Sequence, residues 1–114
     1  ATATPYMVRY PTAFAMWLQA TDFALAPVAE VAIVGDPSEP ATRDLLAVAS
    51  GGYAPDRVVA LRATEADSVV PLLADRTRLD GRPTAYVCRN FACRLPVTDA
   101  EALEEQLREV AAVV

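Results

Sequence analysis

Gly81-Arg82-Pro83-Thr84-Ala85-Tyr86-Val87-Cys88-Arg89-Asn90-Phe91-Ala92-Cys93 is the stretch that decides the fold of this 114-residue chain. Gly81-Arg82-Pro83 is a turn signal. Behind it come two short runs of strand-forming residues, Thr84–Cys88 and Cys93–Val97. The four residues between them, Arg89 to Ala92, have the length of a hairpin connection, so the two strands are expected to be antiparallel. Alternation then puts Tyr86, Cys88, Cys93, Leu95 and Val97 on one face. Arg94 and Pro96 take the opposite face of the second strand, and a proline there marks a sheet edge. Thr98-Asp99-Ala100-Glu101 follows as a capping box. It opens a helix whose apolar stripe is Leu103, Leu107, Val110 and Val114.

Working upstream, residues 65–79 hold a helical segment with Val69, Val70, Leu72, Leu73 and Leu79, interrupted by Pro71. Arg57–Arg62 reads as a strand through Val58, Val59 and Leu61. Val28–Gly35 is β-branched and apolar on both faces, which is the pattern of a buried central strand. Between these strands, Asp36-Pro37-Ser38-Glu39-Pro40 opens a helix through Leu45, Leu46 and Val48, with Ser38 the expected N-cap. Gly51-Gly52 stops it. Strand, helix and strand in this space imply a parallel crossover. In residues 12–26, Phe14, Trp17, Leu18, Thr21 and Leu25 recur at helical spacing, and Pro27 ends the helix. Residues 1–10 carry no clear period.

Composition narrows the function classes. The chain has net charge −5, no lysine and no histidine. An acidic balance without a basic cluster argues against nucleic-acid binding. The absence of histidine removes Ser-His-Asp and Cys-His catalysis and histidine metal sites from these residues. There is no G-x-x-x-x-G-K-[ST] loop and no G-x-G-x-x-G turn, so no cofactor is implied. No apolar run is long enough to span a bilayer. A cytoplasmic location is expected, and two cysteines are too few for a secreted disulfide scaffold.

The element order resembles the thioredoxin core. Gly81-Arg82-Pro83-Thr84-Ala85-Tyr86-Val87 is similar to the turn, cis-proline and strand of that family, followed by hairpin and capped helix. The resemblance implies a thioredoxin-like α/β sandwich with a βαβ-α-ββα core and an extra N-terminal helix. It also implies a mixed four-stranded sheet in the order second, first, third, fourth strand, and a cis bond before Pro83. The position of the thioredoxin cysteine pair reads Asp36-Pro37-Ser38-Glu39, so that chemistry is excluded there.

A narrower resemblance rests on Val31-Ala32-Ile33-Val34-Gly35-Asp36-Pro37, on Thr42-Arg43-Asp44-Leu45-Leu46, on Pro83 through Cys93, and on Leu95-Pro96-Val97-Thr98-Asp99. These stretches resemble the C-terminal region of the YyaL and spermatogenesis-associated protein 20 family. Its members resemble a three-part protein: a thioredoxin-like domain, a helical toroid similar to six-hairpin glycosidases and sugar epimerases, and this tail. On that resemblance residues 1–27 are the end of the toroid, residues 28–114 are the domain, and the context is carbohydrate metabolism. The partners are then the remaining domains of the same protein, or a second copy through the N-terminal helix.

Cys88 and Cys93 carry the chemistry the sequence offers. Facing hairpin positions lie within the Cα distance a disulfide bridges. Three readings stand: buried reduced thiols, which pack as small hydrophobes, a structural or redox-active disulfide, and half of a zinc site. Arg89 and Arg94 flank the pair and would lower a thiol pKa if turned inward. Arg82 could present backbone to a partner peptide, and Gly35–Pro40 could take a nucleotide, although Asp36 and Glu39 oppose a phosphate there. The leading expectation is a non-catalytic structural or docking domain. The competing one is a dithiol oxidoreductase using Cys88 and Cys93.

Overall fold

The computed structural model describes residues 3–63, 68–90 and 92–112. Its centre is strand β1, Ala29–Val34, of which every residue but Glu30 is buried. β2, Arg57–Arg62, runs parallel to β1 with Val31 opposite Val59. β3, Thr84–Arg89, runs antiparallel on its other side with Val31 opposite Val87. The short β4, Ala92–Cys93, pairs antiparallel with β3 at the edge. The order β2-β1-β3-β4 and these directions are those expected.

Alternation divides β1 between two layers. Val31 and Ile33 join Ala85 and Val87 on one face, under Leu45 and Ala49 of one helix and Leu103 and Leu107 of another. The first of these is α3, Pro40–Ser50, which sets Thr42, Leu45 and Ala49 inward, one stripe at i, i+3, i+7. The other, Ala100–Ala112, closes the chain as α4 once two N-terminal helices are counted as α1, Thr4–Arg9, and α2, Ala15–Leu25. On the opposite face Ala32 and Val34 lie under the segment around a 3₁₀ turn, Pro71–Leu73, where Leu73 is buried.

Several expectations need correction. Instead of a helix over 65–79, residues 68–79 form the 3₁₀ turn and loop; 64–67 lie outside the described residues. Pro71 holds Val70 extended, at φ −83° and ψ 114°, and Asp75 turns into the left-handed region at φ 58°, so no helix passes either point. The Arg82–Pro83 bond is trans, not cis. The chain has already reversed at Asp80 and Gly81, at φ 53° and 71°, an Asp-Gly turn across the Leu79–Arg82 bridge. Thr84 Oγ1 seals it, accepting from the Leu79 N–H at 2.8 Å and donating to the Arg82 carbonyl. Proline therefore enters an extended strand, where a trans bond serves.

β4 is shorter than expected because regular pairing ends after Arg94, whose N–H donates to the Val87 carbonyl. Val97, not Pro96, then pairs with Ala85, so the chain carries one extra residue around Leu95-Pro96. The bulge turns Val97 onto the core face with Ala85, away from Cys88 and Cys93. Ser38 does not cap α3. Glu39 is the N-cap, without a side-chain bond, and Pro40 occupies the first turn, where its missing N–H costs nothing. In α4 the cap is Asp99, one residue beyond the expected Thr98, with Asp99 Oδ2 accepting from the Ala102 N–H. Val114 lies outside the described residues. Upstream, Thr4–Arg9 is helical where no period was legible, and a 3₁₀ turn, Pro11–Phe14, precedes α2.

Close packing between β1 and α3 fixes Gly35. A Cβ there would meet Thr42 Oγ1 at 2.5 Å and Pro83 Cβ at 2.9 Å. Gly35→Ala should therefore destabilise the fold by about 1–3 kcal/mol. Urea unfolding checks it, with a lower midpoint and unchanged slope.

Candidate functional site

Cys88 and Cys93 face each other across β3 and β4 and are joined as a disulfide, with Cα atoms 4.0 Å apart. Because the Arg94 N–H donates to the Val87 carbonyl at the neighbouring rung, the cysteines occupy a non-hydrogen-bonded pair, where facing side chains come closest. The turn is tighter than the expected four residues, since Arg89 pairs with Ala92 and Asn90 takes φ 51°. Asparagine tolerates that conformation better than most residues.

The two sulfurs differ in access. Cys88 is 2% exposed, under the loop that follows the 3₁₀ turn, whereas Cys93 is exposed on the edge strand. Above both lies Arg76. Its Nη2 donates to Cys93 Sγ at 3.1 Å and to Cys88 Sγ at 3.4 Å. The guanidinium is held from several sides. Its Nε donates to the Leu72 carbonyl, it stacks 5.0 Å from the Tyr86 ring centroid, and Tyr86 in turn donates to the Thr77 carbonyl. The Arg76 carbonyl accepts from Arg62 Nη1 at 2.6 Å. Arg62 belongs to β2, so the loop is tied to the sheet it covers.

The flanking arginines have other work. Arg89 Nη1 donates to the Val110 carbonyl near the end of α4, where the helix dipole favours a cation. Arg94 pairs with Glu109 of α4. The arginine that reaches the sulfurs is Arg76, which sequence spacing does not reveal. A hint was available in the arginine-rich run Arg76-Thr77-Arg78, between an apolar turn and the strand. An open groove of about 450 Å³ runs beside the cystine, lined by Glu30, Val58, Val70, Pro71, Arg76 and both cysteines. Among the described residues no cluster of three or more metal-ligating side chains exists.

At the loop after β1, Asp36 Oδ1 accepts from the Ser38 N–H at 2.8 Å and from its hydroxyl at 2.7 Å. These bonds, the backbone one foremost, hold the Asp36 carboxyl below its ordinary 3.8. Arg78 pairs with Glu39 at 3.2 Å beside this loop. The loop is thus knitted by its own side chains. Trp17 and Leu18 are exposed on α2, and Pro83 immediately precedes β3.

These features define a small α/β sheet protein with a hairpin cystine held under a fixed guanidinium. Comparison with known proteins then gives its relatives. The chain is 30% identical over 105 residues to spermatogenesis-associated protein 20 of Homo sapiens, and 29% identical over 107 residues to that of Rattus norvegicus. Over most of its own length it is thus similar to one region of the spermatogenesis-associated protein 20 sequences. The matches take in 89% and 90% of this chain but span only 13% and 14% of those relatives' lengths. No family model matches the chain, and no solved structure does.

Two measurements check this geometry. The cystine closes a loop of sequence separation 5, and so short a loop adds only about 2 kcal/mol of stability in the chain-entropy model. Reduction, or Cys88→Ala with Cys93→Ala, should lower the unfolding midpoint by that order yet leave the far-ultraviolet spectrum folded. For Asp36, the depressed folded pKa contributes stability above the unfolded value that is lost as pH falls through the folded one. Carboxyl-detected NMR should find Asp36 titrating below 3.8, and Ser38→Ala should move it upward.

Proposed function

We propose that residues 28–114 are a thioredoxin-like docking domain without catalytic role of its own, part of a longer protein whose other parts resemble a thioredoxin domain and a sugar-epimerase-like toroid. Strand order and direction support the thioredoxin-like reading, as do two helices on one sheet face and the intervening segment on the other. The trans Pro83 and the reduced second helix depart from the family pattern. A cytoplasmic location goes with this reading, and the described residues contain no helix long and apolar enough to cross a membrane.

One observation, in the helix that precedes these residues, carries the docking role. α2 is apolar around most of its circumference, Ala-Met-Trp-Leu-Gln-Ala-Thr-Asp-Phe-Ala-Leu, yet none of its residues is buried. Met16, Trp17, Phe23 and Leu25 are 78, 62, 43 and 81% exposed. Such a helix ordinarily sits inside a larger protein. The Cα radius of gyration, 16.7 Å, also exceeds the roughly 13 Å of a compact chain of about this length. Burying each of those large side chains is worth about 1.5–3 kcal/mol. The occupant we assign is the rest of the same polypeptide, because the relatives are some seven times longer than the matched stretch.

A second reading, dithiol exchange at Cys88 and Cys93, is favoured by the Arg76 N–H aimed at both sulfurs. Hydrogen exchange tests the docking role. Amides of residues 11–25 should exchange rapidly in this chain alone and be protected in the longer protein. Equal, rapid exchange in both would end the docking reading, and protection in this chain at high concentration would assign the helix to self-association instead.

A further inference from the structure

We propose that Cys93 is a thiolation site for small thiols, with Cys88 as leaving group and Arg76 as the group that receives its charge; this rests on the dithiol reading above. Access decides which sulfur is attacked. Cys88 is buried beneath the 71–76 segment, while Cys93 is exposed at the sheet edge beside the groove. A thiolate must reach the sulfur it attacks, and of the two Cys93 is the exposed one. The groove wall of Val58, Val70 and Pro71 suits the carbon skeleton of a small thiol.

The exchange balances without another co-reactant. A small thiol gives its proton to water and its sulfur attacks Cys93 Sγ. The bond between Cys93 Sγ and Cys88 Sγ breaks, and its electron pair leaves on Cys88 Sγ as a thiolate. Arg76 Nη2, 3.4 Å from Cys88 Sγ, already points at the place where that charge develops. A second small thiol attacks the adduct's outer sulfur, releasing a small disulfide and leaving Cys93 reduced. Two thiols thus supply the two electrons the cystine takes up. A lower leaving-group pKa speeds such exchange, and a guanidinium beside a thiolate lowers it. Glu30, opposite Cys88 in the register, is the acidic group lining the same groove. Arg76 is a positioning and charge-stabilising residue here, held by Leu72, Tyr86 and Arg62 before any thiol arrives.

The test uses the oxidised chain and reduced glutathione, quenched with acid and mapped by peptide mass. Adduct should fall on Cys93 over Cys88 by about tenfold or more. Arg76→Gln should slow reduction at least about threefold, the effect of one unit of thiol pKa, and Arg76→Lys should recover part of the rate. A melting curve alone would not distinguish Gln from Lys, so recovery by Lys separates charge from packing. Equal labelling of both cysteines, or an unchanged rate in Arg76→Gln, would overturn the proposal while leaving the dithiol reading intact. A chain that forms no Cys88–Cys93 disulfide on air oxidation would overturn the dithiol reading itself.

Discussion

Strand β1 must bury both of its faces, and the remaining structure answers that requirement. Val31 and Ile33 need cover on one side, and Ala32 and Val34 need it on the other. Two amphipathic helices, α3 and α4, supply the first cover with Leu45, Ala49, Leu103 and Leu107. The second cover is thinner, a 3₁₀ turn and a loop with a single buried leucine, Leu73. A loop has unpaired carbonyls that a helix would satisfy internally. Arg62 meets that need by donating to the carbonyls of Leu73 and Arg76. Sheet and cover are thereby joined by charge-assisted bonds, which are stronger than neutral ones.

This arrangement explains why the cystine and its guanidinium sit where they do. The covering loop ends over β3 and β4, and the side chain it delivers there is Arg76. The cystine needs only the hairpin, since facing positions of adjacent strands bring the sulfurs together. The guanidinium needs the closed face, because Leu72, Tyr86 and Arg62 all belong to it or rest against it. Seating the cystine under a guanidinium and closing the sheet are consequently one structural problem. The N-terminal helices take no part in it. Their exposed Trp17 and Leu25 belong to a different problem, the docking proposed for α2.

Much of this was legible in the sequence, and the limits have physical causes. Val28–Gly35 announced a doubly buried strand through β-branched residues at consecutive positions, and Arg57–Arg62 was legible to both ends. That Cys88 and Cys93 would face each other was legible from alternation and loop length, whereas their joining as a disulfide was one of three readings the sequence left open. Around Pro71 the apolar spacing of Val69, Val70, Leu72 and Leu73 imitated a helix, but a proline and a left-handed Asp75 prevailed over periodicity. The turn was displaced for a similar reason: Asp80-Gly81 satisfies a tight reversal, and Pro83 merely follows it. The bulge at Leu95-Pro96 shifted Val97 to the core face, which strict alternation cannot foresee. The Arg76 contact was not legible beyond its arginine-rich run, because it depends on how a loop packs and not on spacing along an element.

The loop closing the second sheet face holds the Arg76 guanidinium against the Cys88–Cys93 sulfurs. The most direct measurement is the nitrogen-15 resonance of the Arg76 Nε–Hε group, followed while the cystine is reduced. Arg108, exposed on α4 and paired with Glu104 and Glu105, serves as the internal reference. A single slowly exchanging Arg76 signal should shift on reduction while Arg108 stays in place. An Arg76 signal that is averaged by motion in the oxidised chain, or that ignores reduction, would contradict it.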